Sequence, residues 1–156
     1  MNTELNDKNK SINSVGGWLM GVQVFIFLNA YGWIRNFQIF SGLLSEKDKL
    51  IQAQGIADPA LYNFFIYYEL AASIIFTVFS IALIYYMFKR AKLFPMLFVI
   101  YIILDLLTDA LVLLFFGSVS ESPDIIKQKL IFSFVITILL ISYIRFSKRV
   151  KETFIK

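Results

Sequence analysis

The chain has 156 residues, of which 58% are hydrophobic and 17% are charged, and its mean hydropathy is +0.70. Soluble domains contain about a quarter of charged residues, so this composition excludes an ordinary water-soluble fold and indicates a membrane protein. The net charge of +4 does not predict a nucleic-acid partner, because the basic residues flank apolar segments and form no patch on a folded module. The chain has no Cys and no His, so we expect no disulfide, no metal, no cofactor and no Ser–His or Cys–His catalytic pair.

The first third of the chain predicts one membrane span followed by a polar loop. Residues 1–15 are polar and lack the apolar segment of a secretory signal, so we expect a short arm. Residues 17–40 form the first apolar run, which at about 1.5 Å per residue is long enough to cross about 30 Å of hydrocarbon. Residues 41–60 are polar with leucines on one face, which predicts a short interfacial helix in the first outer loop.

Three further spans follow, over about residues 62–88, 93–116 and 130–146. Asp58-Pro59 and Ser122-Pro123 are helix-start signals, because the first side chain accepts free backbone amides and proline fits the first turn. A basic turn at 89–92 separates the second span from the third. The sequence therefore predicts one all-α domain over residues 1–156, built as a four-helix transmembrane bundle.

The distribution of Lys and Arg predicts the orientation of the chain. Ten of these residues lie in the arm, the basic turn and the carboxyl-terminal tail, whereas four lie in the two opposite loops. Lys and Arg are enriched in cytoplasmic segments, so both termini are expected in the cytoplasm.

Four charged side chains lie inside the predicted spans: Arg35 in the first, Glu69 in the second, and Asp105 and Asp109 in the third. A lone charge in hydrocarbon costs several kcal/mol, so these residues are expected to face the bundle interior as a polar cluster. We predict that Arg35 pairs with Glu69 or Asp109. This pairing leaves two acids per cation, so one carboxyl group, that of Asp105, is expected to be protonated and could carry a proton; the alternative role of the cluster is only to hold the helices in register.

The last span has few polar residues, chiefly Ser133 and Thr137, so we expect it to act mainly as an anchor while the first three spans surround any ligand. The tail that follows carries Arg145, Lys148, Arg149 and Lys151. These residues are expected to fix the topology, and they could also contact anionic lipid head groups.

Four short segments stand out: Gly16–Leu19, Tyr68–Leu70, Lys89–Pro95 and Ser147–Phe154. Together they resemble the YdgK-like family of bacterial inner-membrane proteins, which is catalogued as a domain of unknown function. The resemblance covers nearly the whole chain and implies four spans in a bacterial plasma membrane. It implies no activity, substrate or cofactor.

The functional prediction follows mainly by elimination. We expect a non-enzymatic accessory or assembly subunit that packs against a second copy or another membrane protein. The alternative is a small proton-coupled transporter or channel that uses Glu69, Asp105 and Asp109, although the chain lacks the internal repeats of many carriers. An enzyme is disfavoured, because Asp105 and Asp109 are one turn apart on one helix and do not face each other across a cleft.

Overall fold

The computed structural model describes residues 18–54, 58–116 and 123–154, and every element in this part of the chain is an α-helix. The predicted all-α fold with four long helices is confirmed. The predicted arm at residues 1–15 lies outside the described residues. In chain order the helices are α1 (Trp18–Gln54), α2 (Pro59–Phe88), α3 (Phe94–Phe116), α4 (Pro123–Phe146) and α5 (Lys148–Phe154).

The ends of α2 follow from local backbone chemistry. Asp58 caps its start, since the carboxylate accepts a hydrogen bond from the Leu61 amide at 2.9 Å and Pro59 occupies the first turn. At its other end Arg90 adopts φ 50°, and the amide of Ala91 donates back to the carbonyl of Tyr86. This left-handed residue with a bond reaching back five positions is a Schellman ending, which stops the helix at the basic turn.

The prediction of a separate interfacial helix after the first span is wrong, because residues 41–54 continue α1 without a break. This segment contains Leu, Glu, Lys and Gln, which are good helix formers, and it contains no proline. Its serines fit inside the helix, since the hydroxyls of Ser41 and Ser45 donate to the carbonyls of Gln38 and Gly42. The change to polar residues therefore marks a change of environment along one helix.

Three of the described helical segments are both long and apolar enough to cross a membrane: Pro59–Phe88, Phe94–Phe116 and Lys127–Phe146. The chain is thus a multi-pass membrane protein. Helix α1 has 37 residues but is not among these three segments, since polar side chains such as Gln23, Asn29 and Asn36 lower its hydropathy.

The long helices pack chiefly as neighbours along the chain, α1 on α2, α2 on α3 and α3 on α4. Helix α1 runs antiparallel to α2. The Trp33 and Phe76 rings stack at 4.6 Å, and further along α1 the Phe40 ring meets Phe65 edge to face at 5.5 Å. These two pairs give the contact between α1 and α2 one register over several turns.

The densest packing lies at the end of the bundle that carries the α2–α3 turn. The Phe94 and Phe98 side chains are fully buried there, and Phe154 of α5 stacks on Phe94 with ring centroids 4.7 Å apart. The short helix α5 thus covers this end of the bundle with its apolar face. Other buried residues at this end are Val22, Leu83, Met87, Leu140, Ile144 and Val150.

Asp58→Ala should lower the free energy of unfolding by about 1 kcal/mol, because the Leu61 amide at the start of α2 loses its acceptor. Asp58→Asn keeps an acceptor oxygen at this position and should lower it by much less. Unfolding of the purified protein in mixed micelles measures both variants. Equal stability of the alanine variant and the native chain would contradict the role of this cap.

Candidate functional site

A cavity of about 720 Å³ lies between the four long helices, toward the end opposite the α2–α3 turn. This volume falls in the range of sites that bind small molecules. Its apolar lining consists of Phe25, Leu28, Gly32, Trp33, Phe40, Phe65, Ile102, Val112, Phe132 and Ile136. Its polar lining consists of Asn29, Asn36, Glu69, Asp105, Thr108, Asp109, Lys129, Ser133 and Thr137.

Glu69 is placed in the cavity wall by hydrogen bonds that join α1 to α2. The side-chain amide of Asn36 donates to Glu69 Oε2 at 2.7 Å, and the same amide lies 3.4 Å from the Ser73 hydroxyl. Ser73 in turn donates to the Glu69 carbonyl one turn back along α2. Glu69 as a whole residue is 7% exposed. The hydrogen bond from the neutral Asn36 amide therefore partly offsets the free-energy cost of burying its carboxyl group.

Asp109 is held by two groups from α4. Lys129 Nζ lies 2.6 Å from Asp109 Oδ1, and the Ser133 hydroxyl donates to Asp109 Oδ2 at 3.3 Å. Asp109 is buried, whereas 63% of the Lys129 side chain is exposed. The lysine therefore reaches a buried acid from the rim of the cavity, and its long apolar stem makes this possible.

Asp105 lies one helical turn from Asp109, on the side toward the α2–α3 turn. It is half-buried, it lines the cavity, and the Trp33 indole of α1 is among the groups that interact with it. Glu69, Asp105 and Asp109 thus line the same cavity, while Lys129 is the cation in that lining.

The predicted ion pair of Arg35 is wrong. Among the described residues, Asp109 pairs with Lys129 and Glu69 accepts from Asn36. Arg35 is an exposed residue outside the cavity lining. The reason is helical geometry. Asn29, Gly32 and Asn36 form the face of α1 that lines the cavity, and Arg35 lies about 100° around the helix from Asn36.

Lys129 is a site residue that was not predicted, and α4 contributes more to the site than expected. Lys129, Ser133 and Thr137 recur every four residues, so they share one face of that helix, and all three line the cavity. This spacing was visible in the sequence. The lysine was counted only as a loop charge, because the predicted span began one residue after it. The expectation that α4 acts mainly as an anchor is therefore wrong.

Aromatic side chains fill the bundle beside the deep part of the cavity. The Phe76 ring stacks on Trp33 and meets Tyr101 edge to face at 5.5 Å, and Phe79 meets Tyr101 at 5.4 Å. The buried hydroxyls of Ser80 and Tyr101 are hydrogen-bonded to each other at 3.0 Å. We call Trp33, Phe76, Phe79 and Tyr101 the aromatic layer. Its residues on α2 and α3 lie on the turn side of Glu69 and Asp105, and Trp33 itself lines the cavity.

The cavity opens sideways between α1 and α4. Leu28 on α1 and Phe132 on α4 both line it, yet they are 64% and 68% exposed. Gly32 lies one turn from Leu28, and a Cβ atom built on it would meet no other atom within 4 Å. The side of the bundle at this gap would face lipid chains in a membrane.

A metal centre finds no support in the described part of the chain, where no three His, Cys, Asp or Glu side chains are grouped to hold an ion. The acids of the cavity are instead distributed along its wall on α2 and α3.

The basic tail begins at the end of α4 and continues on α5. Arg145, Lys148 and Lys151 are exposed, and the side chain of Arg149 lies outside the described residues. Val150 and Phe154 of the same short helix are buried against the bundle. The exposed basic residues make anionic lipid contact feasible, and that contact stays a prediction.

Comparison with known families settles the relationship of the chain. A family model described as a protein of unknown function (DUF2569) matches residues 12–155. The chain belongs to this family. The predicted membership in a catalogued domain of unknown function is thereby confirmed, and the YdgK-like name stays a prediction. No curated protein and no solved structure matches this DUF2569 chain.

The Lys129–Asp109 pair of this DUF2569 protein should show measurable coupling. In a double-mutant cycle with Lys129→Met and Asp109→Asn, we expect a coupling free energy of about 1 kcal/mol, limited by the exposure of the lysine. The matched cycle with Arg35→Met and Asp109→Asn should give coupling near zero, because the structure shows no such pair. Unfolding in mixed micelles measures both cycles, and larger coupling to Arg35 than to Lys129 would contradict the site geometry.

Proposed function

We propose that this chain is a four-span protein of the bacterial plasma membrane that binds a small amphipathic molecule in its cavity and acts as a non-enzymatic accessory subunit. The observation that carries the proposal is the cavity between the four long helices, which combines an apolar lining with a few polar groups and a gap toward lipid. Sites for small molecules usually have this combination of lining groups.

The fourth span in this proposal is α1. Its contacts with α2 extend from Trp33 against Phe76 to Phe40 against Phe65, so it lies beside a helix that is itself long and apolar enough to cross. The polar residues that lower its hydropathy, Asn29 and Asn36, line the cavity and so are directed away from hydrocarbon. At about 1.5 Å per residue its 37 residues extend about 55 Å, so its last turns would project beyond the membrane.

Cytoplasmic termini are supported by the concentration of basic residues in the α2–α3 turn and in the tail. In this orientation the packed end of the bundle lies on the cytoplasmic side. The cavity and its acids then belong to the outer half of the membrane.

Binding is favoured over conduction by the aromatic layer. A channel needs a continuous polar path, whereas Tyr101 and Phe98 are fully buried on the cytoplasmic side of the acids in this orientation. An accessory role is favoured over catalysis, because Asp109 is already engaged by Lys129 and the described site shows no activated nucleophile beside a base. The partner would be a second copy or another membrane protein packed on the exposed apolar faces.

Proton-coupled transport is the second candidate, since Glu69, Asp105 and Asp109 line one cavity with a single lysine. In this case the aromatic layer would have to open during each cycle. Proteoliposomes with an imposed pH gradient decide between the two functions. Liposomes that contain an accessory protein should remain impermeable to protons. A proton flux that disappears in Asp105→Asn would instead establish proton-coupled transport.

Gly32→Phe should block the cavity, because Gly32 lies in its lining at the lateral gap and its Cβ position is open. Gly42→Phe is the matched control, since Gly42 is on the same helix, is equally open and is not part of the lining. A bound amphiphile stabilises the folded state by mass action. We therefore expect dodecylamine, dodecanol or dodecanoate to raise the melting temperature of the native and Gly42→Phe proteins but not of Gly32→Phe.

If none of the three probes stabilises the native protein, or if Gly32→Phe responds as the control does, the proposed binding function is wrong. Both variants are compared at the same detergent concentration and the same mole fraction of probe, so that partitioning into micelles is equal.

A further inference from the structure

We propose that the molecule bound in the cavity is an amphipathic primary amine, with its ammonium group among the acids and its apolar chain leaving through the gap between α1 and α4. This inference rests on the proposed binding function and specifies the chemistry of the ligand. Its basis is the lining, which combines three carboxyl groups with apolar side chains that flank the gap between α1 and α4.

The charged lining consists of three carboxyl groups and one ammonium group. The ammonium group of Lys129 is bound to Asp109, which also accepts from Ser133, so this acid is already supplied with donors. Glu69 accepts its side-chain bond from the neutral amide of Asn36, and Asp105 has the Trp33 indole beside it. A carboxylate can accept about four hydrogen bonds, so these two acids retain acceptor capacity for a cation with N–H donors.

The apolar lining continues from these acids toward the lateral gap. Phe25 and Trp33 contribute aromatic rings on α1, and Leu28 and Phe132 flank the gap itself. An alkyl chain following this surface would pass from the cavity into the hydrocarbon of the membrane. The cavity thus offers polar and apolar contacts for the two parts of an amphipathic molecule.

A bare metal ion fits this site less well than an organic cation. A volume of about 720 Å³ far exceeds the space of one ion, and the described acids are not grouped as a set of metal ligands. An ammonium group, in contrast, can be bound by a single carboxylate, and both Glu69 and Asp105 offer one in the lining. Lys129 lies at the rim and is largely exposed, so its remaining N–H donors can contact a phosphate or another anionic group of a lipid amine.

The test uses the fluorescence of Trp33 in a Trp18→Phe background, where Trp33 is the remaining tryptophan and lines the cavity. Titration with dodecylamine, dodecyltrimethylammonium, dodecanol and dodecanoate compares four head groups on one chain. Dodecylamine should bind at least about tenfold more tightly than each of the others, because it alone offers N–H donors on a cation.

Glu69→Gln and Asp105→Asn should each weaken dodecylamine binding by about tenfold and leave dodecanol binding unchanged. Glu46→Gln removes the same charge from an exposed position of α1 outside the lining and is the matched control. Circular dichroism and gel filtration verify that each variant is folded.

The outcomes separate this inference from the function on which it rests. If dodecanol binds as tightly as dodecylamine and Gly32→Phe abolishes both, the amine specificity is wrong and the proposed binding function stands. If Gly32→Phe affects neither probe, both are wrong. Competition by phosphatidylethanolamine in phosphatidylcholine nanodiscs would identify a lipid head group as the source of the amine, and lack of competition would identify a free amine.

Discussion

The cost of placing carboxyl groups within a membrane determines how this bundle is built. Glu69, Asp105 and Asp109 cannot face hydrocarbon as charged groups without a large penalty, so the helices that carry them must turn these faces inward. Asn36 and Ser133 supply neutral donors, and Lys129 supplies a cation. The contacts that satisfy the acids thereby fix the rotation of all four long helices about their own axes.

The same requirement explains why the two ends of the bundle differ. Near the α2–α3 turn the inward side chains are apolar and aromatic, and Phe94, Phe98 and Phe154 can pack without solvent. At the other end, the inward faces of the four long helices carry polar groups and enclose the cavity, which opens between α1 and α4. The packed end therefore holds the helices together, and the other end can contain a ligand cavity without any insertion or second domain.

Much of this architecture could be predicted from the sequence because it depends on local signals. The Asp58-Pro59 pair starts α2, and the basic turn ends it. The break expected after residue 40 was wrong because a change in polarity does not by itself interrupt a helix that contains no proline and many good helix formers. The inward position of Glu69 and Asp109 followed from the cost of exposing them to lipid, which requires no knowledge of the tertiary fold.

The partners of these acids could not be predicted in the same way. Arg35 and Lys129 were both available as cations, and the choice depends on which way α1 and α4 are rotated. In α1 the backbone at Gly32 and the amide side chains of Asn29 and Asn36 face the cavity, which leaves Arg35 outside it. The lateral gap is likewise a property of packing between distant helices, and no pattern within one helix predicts it.

The most direct test of this account is the access of water to the cavity and its exclusion from the aromatic layer. The chain has no Cys, so Ser133→Cys and Ser80→Cys each introduce a single thiol with little change in volume. Ser133 lines the cavity, whereas Ser80 is fully buried against Tyr101. In the proposed orientation, with both termini in the cytoplasm, a membrane-impermeant thiol reagent added outside intact cells should modify the cysteine at 133 and spare the one at 80. Equal protection of both cysteines would contradict access to the cavity from outside the cell, and equal modification would contradict the burial of Ser80 against Tyr101.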